Sequence, residues 1–199
     1  MADLKKIGIY GGTFNPLHHA HLILAEWAII ELHLDLVYFI PAFIHAFKNN
    51  SQSVSAEIRY EMINAAVKDF PHLKVSRIEI DRFSTSFTVD TLRDLKSDKL
   101  FRNTELFYLL GSDNLSEFHL WKNPEEILKL SAVAVFRRSN DNDLLIDNKY
   151  KDRIIMLDSP IINISATEIR KRIKENKPYQ SLVPEAVYKI IEDKRLYKE

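Results

Sequence analysis

The chain has no cysteine. That excludes disulfides, thiolate metal sites and a cysteine nucleophile. Glycine is nearly as scarce. Four residues in 199 are glycine, where average usage would give about fourteen. A chain this sparing keeps Gly8, Gly11, Gly12 and Gly111 where a backbone conformation or a close approach demands them. Net charge is also absent, with 28 basic residues against 28 acidic ones. This argues against coating nucleic acid, because such binding rests on phosphate neutralisation. Long apolar runs are missing too: "LILAEWAIIELHL" is broken by Glu26 and Glu31, so no membrane span is expected. The apolar run after Lys5 and Lys6 is too short for a signal peptide, and the expected compartment is the cytoplasm. There is no G-x-G-x-x-G, no Gly-Lys-Ser/Thr loop and no recognisable serine triad.

What remains is an ordinary globular composition, 46% hydrophobic and 28% charged. The length suits one domain spanning 1–199. Strand and helix patterns alternate along it. "KKIGIY" reads as a buried strand closed by Gly-Gly, and 19–32 as a helix with Leu22, Ala25, Ile29 and Leu32 on one face. "LVYFIPA" is a second strand, followed by the polar loop "IHAFKNNSQSVS" and a helix at "AEIRYEMINAAVKDF" capped by Ser55. "LKVSRIEI" reads as a third strand, "TVDTLRDLK" as a helix and "LFYLLG" as a fourth strand. "NPEEILKL" is a helix with Asn123 as N-cap and Pro124 in its first turn. "AVAVFRR" and "RIIMLD" are further strands, separated by the polar insertion around 139–152. "SATEIRKRIKEN" and "PEAVYKIIEDKRLY" are terminal helices. The alternation predicts an α/β fold, a Rossmann-like doubly wound parallel sheet with C-terminal helices. In such sheets ligands sit at the carboxyl ends of strands, near the switch point.

One such end reads "YGGTFNPLHHAHL", from Tyr10 to Leu22. Gly11 and Gly12 would let backbone N–H groups turn towards an anion. The helix that follows adds the partial positive charge of its N-terminus. His18 and His21 are three residues apart and share a face. A metal site using two of His18, His19 and His21 is a rival reading, although no cysteine or close carboxylate offers a third ligand. An ordinary strand–turn–helix with surface histidines is another. Imidazoles beside an anion-binding turn, donating to developing phosphate charge, fit the pattern better.

At a second strand end, "GSD", Gly111 allows close backbone approach. Asp113 could seat a nucleotide ribose, or it could cap a turn. "ISATEIR" at 164–170 contains a capping box, Ser165 with Glu168, common at any helix start.

Together these residues resemble a family. "GGTFNPLHHAH" is similar to the G-G-[ST]-F-D-P-x-H-x-G-H stretch of nucleotidylyltransferases, and "ISATEIR" to their I-S-S-T-x-I-R element. "SFTVDTL" at 86–92 and "LLGSDNLSEFHLW" at 109–121 resemble blocks of one branch, nicotinate-nucleotide adenylyltransferase. The resemblance runs in order to the last helix. It implies adenylyl transfer from ATP to nicotinate mononucleotide, giving the dinucleotide and pyrophosphate, with no protein nucleophile. His18 and His21 would contact the ATP phosphates, with the backbone of Thr13 and Phe14 against them. Lys48, otherwise one solvated lysine among many, would neutralise phosphate. Ser165, Thr167, Arg170 and the free N–H groups of their helix would hold the β- and γ-phosphates, so that about 160–199 completes the ATP site. Trp121 would stack on the pyridine, and Thr88 would lie near its carboxylate. Magnesium is implied as well, held mainly by substrate phosphates and water rather than by protein ligands. Partners would be ATP and nicotinate mononucleotide, with no nucleic acid and no membrane, and a homo-oligomer is left open.

The chain departs from the family pattern at Asn15 (for Asp), Ala20 (for Gly), Phe47 (for His) and Ala166 (for Ser). Ala20 adds a methyl where the helix start runs close to a ligand, and Phe47 leaves the role of Lys48 less secure. Nicotinamide mononucleotide or phosphopantetheine are rival acceptors. The spacing of Asp113 and Trp121 disfavours the pantetheine branch. A non-catalytic nucleotide-binding sensor is the alternative of another class.

Overall fold

The computed structural model describes residues 5–45, 54–137 and 148–198. Along the chain come β1 (Lys5–Gly12), α1 (His19–Leu32), β2 (Leu36–Pro41), β3 (Ile44–His45), α2 (Ala56–Val67) and β4 (Leu73–Val75). Next are α3 (Ile78–Asp81), β5 (Thr85–Ser86), α4 (Thr88–Ser97), β6 (Thr104–Gly111) and α5 (Pro124–Leu130). The chain continues with β7 (Ala132–Phe136), α6 (Asn148–Lys151), β8 (Ile154–Leu157), α7 (Ala166–Lys174) and α8 (Glu185–Asp193). Six strands form one parallel sheet in the order β4-β2-β1-β6-β7-β8. The order runs outward in both directions from β1 and β6, so the fold is the doubly wound α/β type, and the switch point lies between those two strands.

The strands bury alternate residues on opposite faces, as a period of two requires. In β6, Phe107 and Leu109 join a core with α1, α2, α7 and α8, while Leu106, Tyr108 and Leu110 join a second core with α4 and α5. Likewise Tyr10 faces the first core and Ile9 the second. Both faces are thus covered.

Three local expectations change. The third strand stops at Val75. "RIEI" alternates like a strand, but Ser76 Oγ accepts from the Ile78 N–H at 3.3 Å, which favours a turn, and Arg77 pairs with Asp81 one helical turn on. α3 is the result. Asn123 stands at the start of α5 but in the left-handed region (φ 50°), with no side-chain capping bond. The short side chain of asparagine tolerates that backbone. The loop after β2 contains the two-residue strand β3, which pairs in parallel with β5. Ser55 caps α2 as expected, accepting from the Ile58 N–H.

Candidate active site

Gly11 and Gly12 end β1, and Gly111 ends β6, its neighbour across the switch point. The two adjacent glycines do not make the turn: neither has a positive φ. They are needed for space. A Cβ on Gly11 would stand 2.7 Å from the Tyr108 hydroxyl, and one on Gly12 would stand 3.0 Å from the Phe14 ring. The turn is made instead by Phe14, in the left-handed region at φ 49°, a conformation that costs a non-glycine residue roughly 1 kcal/mol. Packing holds it there. The Phe14 ring is buried edge-on against Tyr10, Phe39 and His21.

Beyond this turn, His18 stands at the N-cap of α1 and His21 in its first turn. Their rings stack at 3.7 Å between centroids. The His18 backbone N–H donates to His21 Nδ1 at 3.2 Å. A ring nitrogen that accepts carries no proton, so the neutral His21 has its N–H on Nε2 and can donate from there. His19 opens the helix and is not part of the stack. Ala20 is buried, so its extra methyl packs inside the protein. The Thr13 hydroxyl oxygen, and that of Ser112 after Gly111, are buried without a hydrogen-bond partner among the described residues. Both lie at the carboxyl ends of the switch-point strands.

The far end of the chain reaches the same turn. Arg170 in α7 donates from Nη1 to the Asn15 carbonyl at 2.8 Å and from Nη2 to Thr167 Oγ1 at 3.4 Å. Asn15 Oδ1 accepts from the Tyr197 hydroxyl at 2.7 Å and from the Val54 N–H at 3.4 Å. The amide at position 15 is therefore an acceptor for two donors. Ser165 caps α7 by accepting from the Glu168 N–H, the first half of the expected capping box.

On the other side of β1 lies an aromatic corner. Trp121 is half-buried, edge-to-face with Tyr108 at 5.9 Å and tilted on Phe118 at 5.5 Å. Thr88 begins α4, and its hydroxyl donates to the Tyr108 hydroxyl at 3.1 Å. Burial of Tyr108 raises the pKa of its phenol, keeping it a neutral hydrogen-bonding group. Trp121, Tyr108, Thr88 and Gly11 thus form one contiguous patch beside the Phe14 turn. Asp113 is exposed in a 3₁₀ turn and accepts from Asn114 Nδ2. Lys48 lies outside the described residues, as do 138–147 of the insertion.

One residue escaped the motif reading. Arg59 is buried at 3% exposure. Its guanidinium donates to the carbonyls of Thr13 (2.8 Å), Ala42 (2.6 Å), Phe43 (3.3 Å) and Val54 (3.1 Å). Burial pushes its pKa down, opposed by Tyr197 and Glu79. A signal was available: Arg59 shares the i, i+3, i+4, i+7 stripe with the buried Met62, Ile63 and Ala66 of α2.

Among the described residues, no group of three or more histidine, aspartate or glutamate side chains could hold a metal ion, and no helix is long and apolar enough to cross a membrane.

At the carboxyl end of β1 a stacked histidine pair and the distant Arg170 thus meet at one turn of a doubly wound parallel sheet. Residues 9–172 match the cytidylyltransferase-like family model, so the chain is a nucleotidyltransferase of that class. It is 40% identical over 205 residues to a protein of Clostridium beijerinckii named "probable nicotinate-nucleotide adenylyltransferase". The match covers 98% of this chain and all of the other. A Clostridium botulinum protein of the same name is 37% identical over 203 residues, with the same coverage. The chain belongs to the nicotinate-nucleotide adenylyltransferase family. The fold of the Plasmodium falciparum nicotinic acid mononucleotide adenylyltransferase, solved complexed with NaAD, matches with a TM-score of 0.78 at 19% identity, over 97% of both chains.

Proposed function

We propose that the chain transfers the adenylyl group of ATP to nicotinate mononucleotide, giving nicotinate adenine dinucleotide and pyrophosphate. A phosphate oxygen of the mononucleotide attacks the α-phosphorus of ATP in line. The new P–O bond forms as the bond to pyrophosphate breaks, and no covalent enzyme intermediate is needed. Catalysis is then positioning plus stabilisation of charge on the transferring group.

The observation that carries this reading is the hydrogen bond from Arg170 to the Asn15 carbonyl, across 155 residues of sequence. It brings the first and last motifs to one turn. His21 donates from Nε2 towards the triphosphate, with His18 stacked behind it. Thr13 and Phe14 present backbone to the phosphates, and Gly11, Gly12 and Gly111 keep the crevice floor open. A guanidinium has five N–H donors, so Arg170 can hold the turn and also meet a phosphate oxygen. Ser165, Thr167 and the α7 N-terminus extend that side, with the segment from about 160 to 199 completing it. Asp113 seats the ATP ribose, and Lys48 neutralises phosphate. Magnesium enters with ATP, held by phosphate oxygens and water, and offsets their charge. On the acceptor side, Trp121 stacks on the pyridine. The Thr88 hydroxyl is occupied by Tyr108, so the backbone N–H groups at the start of α4 are the better partners for the pyridine carboxylate.

The test supplies ATP, magnesium and each of nicotinate mononucleotide, nicotinamide mononucleotide and phosphopantetheine, and measures pyrophosphate release. Release is expected with the nicotinate compound in preference to the others. A protein that binds ATP yet releases no pyrophosphate with any acceptor would be a sensor, and the proposal would fail.

A further inference from the structure

We infer that Glu79, Ser86 and Arg59 are positioning residues that hold the acceptor side of the crevice in register with its phosphate side. The inference rests on the adenylyl-transfer reading for its kinetic test, but its geometry stands independently. Glu79 is buried at 7% exposure, in the short helix α3. Its carboxylate accepts from the Thr91 hydroxyl at 2.6 Å, and the Ser86 hydroxyl stands beside it and favours its charged form. Those two residues lie on either side of Thr88, the first residue of α4. One carboxylate therefore holds the chain after the start of the acceptor-side helix and stands against it before that start. Arg82 Nη2 donates to the same Thr91 oxygen at 2.7 Å, and the Thr91 hydroxyl also reaches the Phe87 carbonyl at 3.4 Å.

The chain of bonds continues across the site. Ser86 Oγ accepts from the Phe43 N–H at 3.0 Å, and the same hydroxyl neighbours the Glu79 carboxylate. The Phe43 carbonyl accepts from Arg59 Nη2, and Arg59 Nη1 donates to the Thr13 carbonyl at 2.8 Å. A polar path thus runs from Thr91 in α4, through Glu79, Ser86, Phe43 and Arg59, to Thr13 beside the catalytic histidines. It crosses the loop after β2, the loop after β1 and the β3–β5 ribbon. Buried polar links are costly unless every member is satisfied, and when satisfied they define one geometry. Here that geometry is the separation between the acceptor's phosphate and the α-phosphorus of ATP. A misplacement of about 1 Å can cost on the order of a hundredfold in rate. None of the three side chains needs to touch a substrate.

The test uses the full chain with Ser86→Ala, Glu79→Gln, Arg59→Lys and the Ser86→Ala/Glu79→Gln double variant. Wild-type turnover with nicotinate mononucleotide is measured first, and its absence would refute the functional reading rather than this one. Ser86→Ala removes a hydroxyl and no charge, so it is the variant that keeps its fold if the buried charges do not tolerate change. Its kcat is expected to fall roughly tenfold and its KM for nicotinate mononucleotide to rise while the KM for ATP stays within about twofold, and Ser86→Thr should restore both. The double variant should lose no more than the worse single one, because both break one path. Equal movement of both KM values, or multiplicative losses, would overturn the inference. Hydrogen exchange supplies a readout without turnover. In Glu79→Gln the amides around Thr13 should exchange faster than in wild type. Faster exchange confined to 86–91 would show that nothing is transmitted, and would overturn it as well.

Discussion

The two sides of the crevice are built differently. The proposed phosphate side is one tight turn, residues 13–21, fastened by distant groups: Arg170 on the Asn15 carbonyl, Tyr197 on the Asn15 side chain and Arg59 on the Thr13 carbonyl. The proposed acceptor side is a packed corner in which Tyr108 touches Trp121, Thr88 and the space over Gly11. A turn that stabilises developing charge needs fixed donors, because donors that must reorient lose their advantage during the reaction. A corner that receives a flat ring needs shape, which comes from aromatic packing. On the proposed function, chemistry therefore concentrates on one side and selectivity on the other.

Four variants break or sharpen this contrast. The largest effect is expected from His21→Ala, which removes the proposed phosphate donor: kcat should fall about 10²–10³-fold. Its circular dichroism should match wild type, and His19→Ala should leave kcat unchanged. Gly11→Ala follows. It pushes a methyl into the Tyr108 hydroxyl, and overpacking of this kind costs about 1–3 kcal/mol. Thermal or denaturant unfolding should show the loss. Tyr108→Phe in the same chain should recover most of it, because the remaining ring atoms stand 3.4 Å from the new Cβ, an ordinary contact. Trp121→Ala should weaken acceptor binding by roughly 1–3 kcal/mol, the usual worth of ring stacking on a base. Steady-state kinetics should show a raised KM for nicotinate mononucleotide and an unchanged KM for ATP. The smallest effect is expected from Tyr197→Phe, which removes one hydrogen bond to Asn15, worth about 1 kcal/mol. It should lower kcat a few-fold and barely alter the acceptor KM. A larger change in the acceptor KM than in kcat would place the C-terminal tail on the wrong side of the contrast.

Legibility in the sequence follows the same division. The turn after β1 and the start of α7 were readable because their signals are local: a three-residue histidine spacing, paired glycines after a strand, and a capping box at Ser165. The doubly wound order was readable from alternating strand and helix patterns, because parallel strands need crossovers and crossovers have one hand. The acceptor side reached the sequence reading only through family resemblance. Nothing local ties Trp121 to Tyr108 or Thr88 to either. α3 was misread because "RIEI" has the period of a strand, while the Ser76 and Arg77 side chains that turn it compete at shorter range. Arg59 left a trace as a cation on an apolar helical stripe. Glu79 left none, since its partners lie on β5 and α4.

The sequence by itself determined the elements, their order and the residue types at the strand ends, because periodicity, caps and glycine scarcity act within a few residues. Tertiary structure alone decided what those residues do. It assigned Gly11 and Gly12 to clearance and the turn to Phe14. It spent the Thr88 hydroxyl on Tyr108, and it brought Arg170 and Tyr197 to Asn15. The physical reason is that space, burial and hydrogen-bond satisfaction are settled between segments far apart in the chain, and no local window contains both partners.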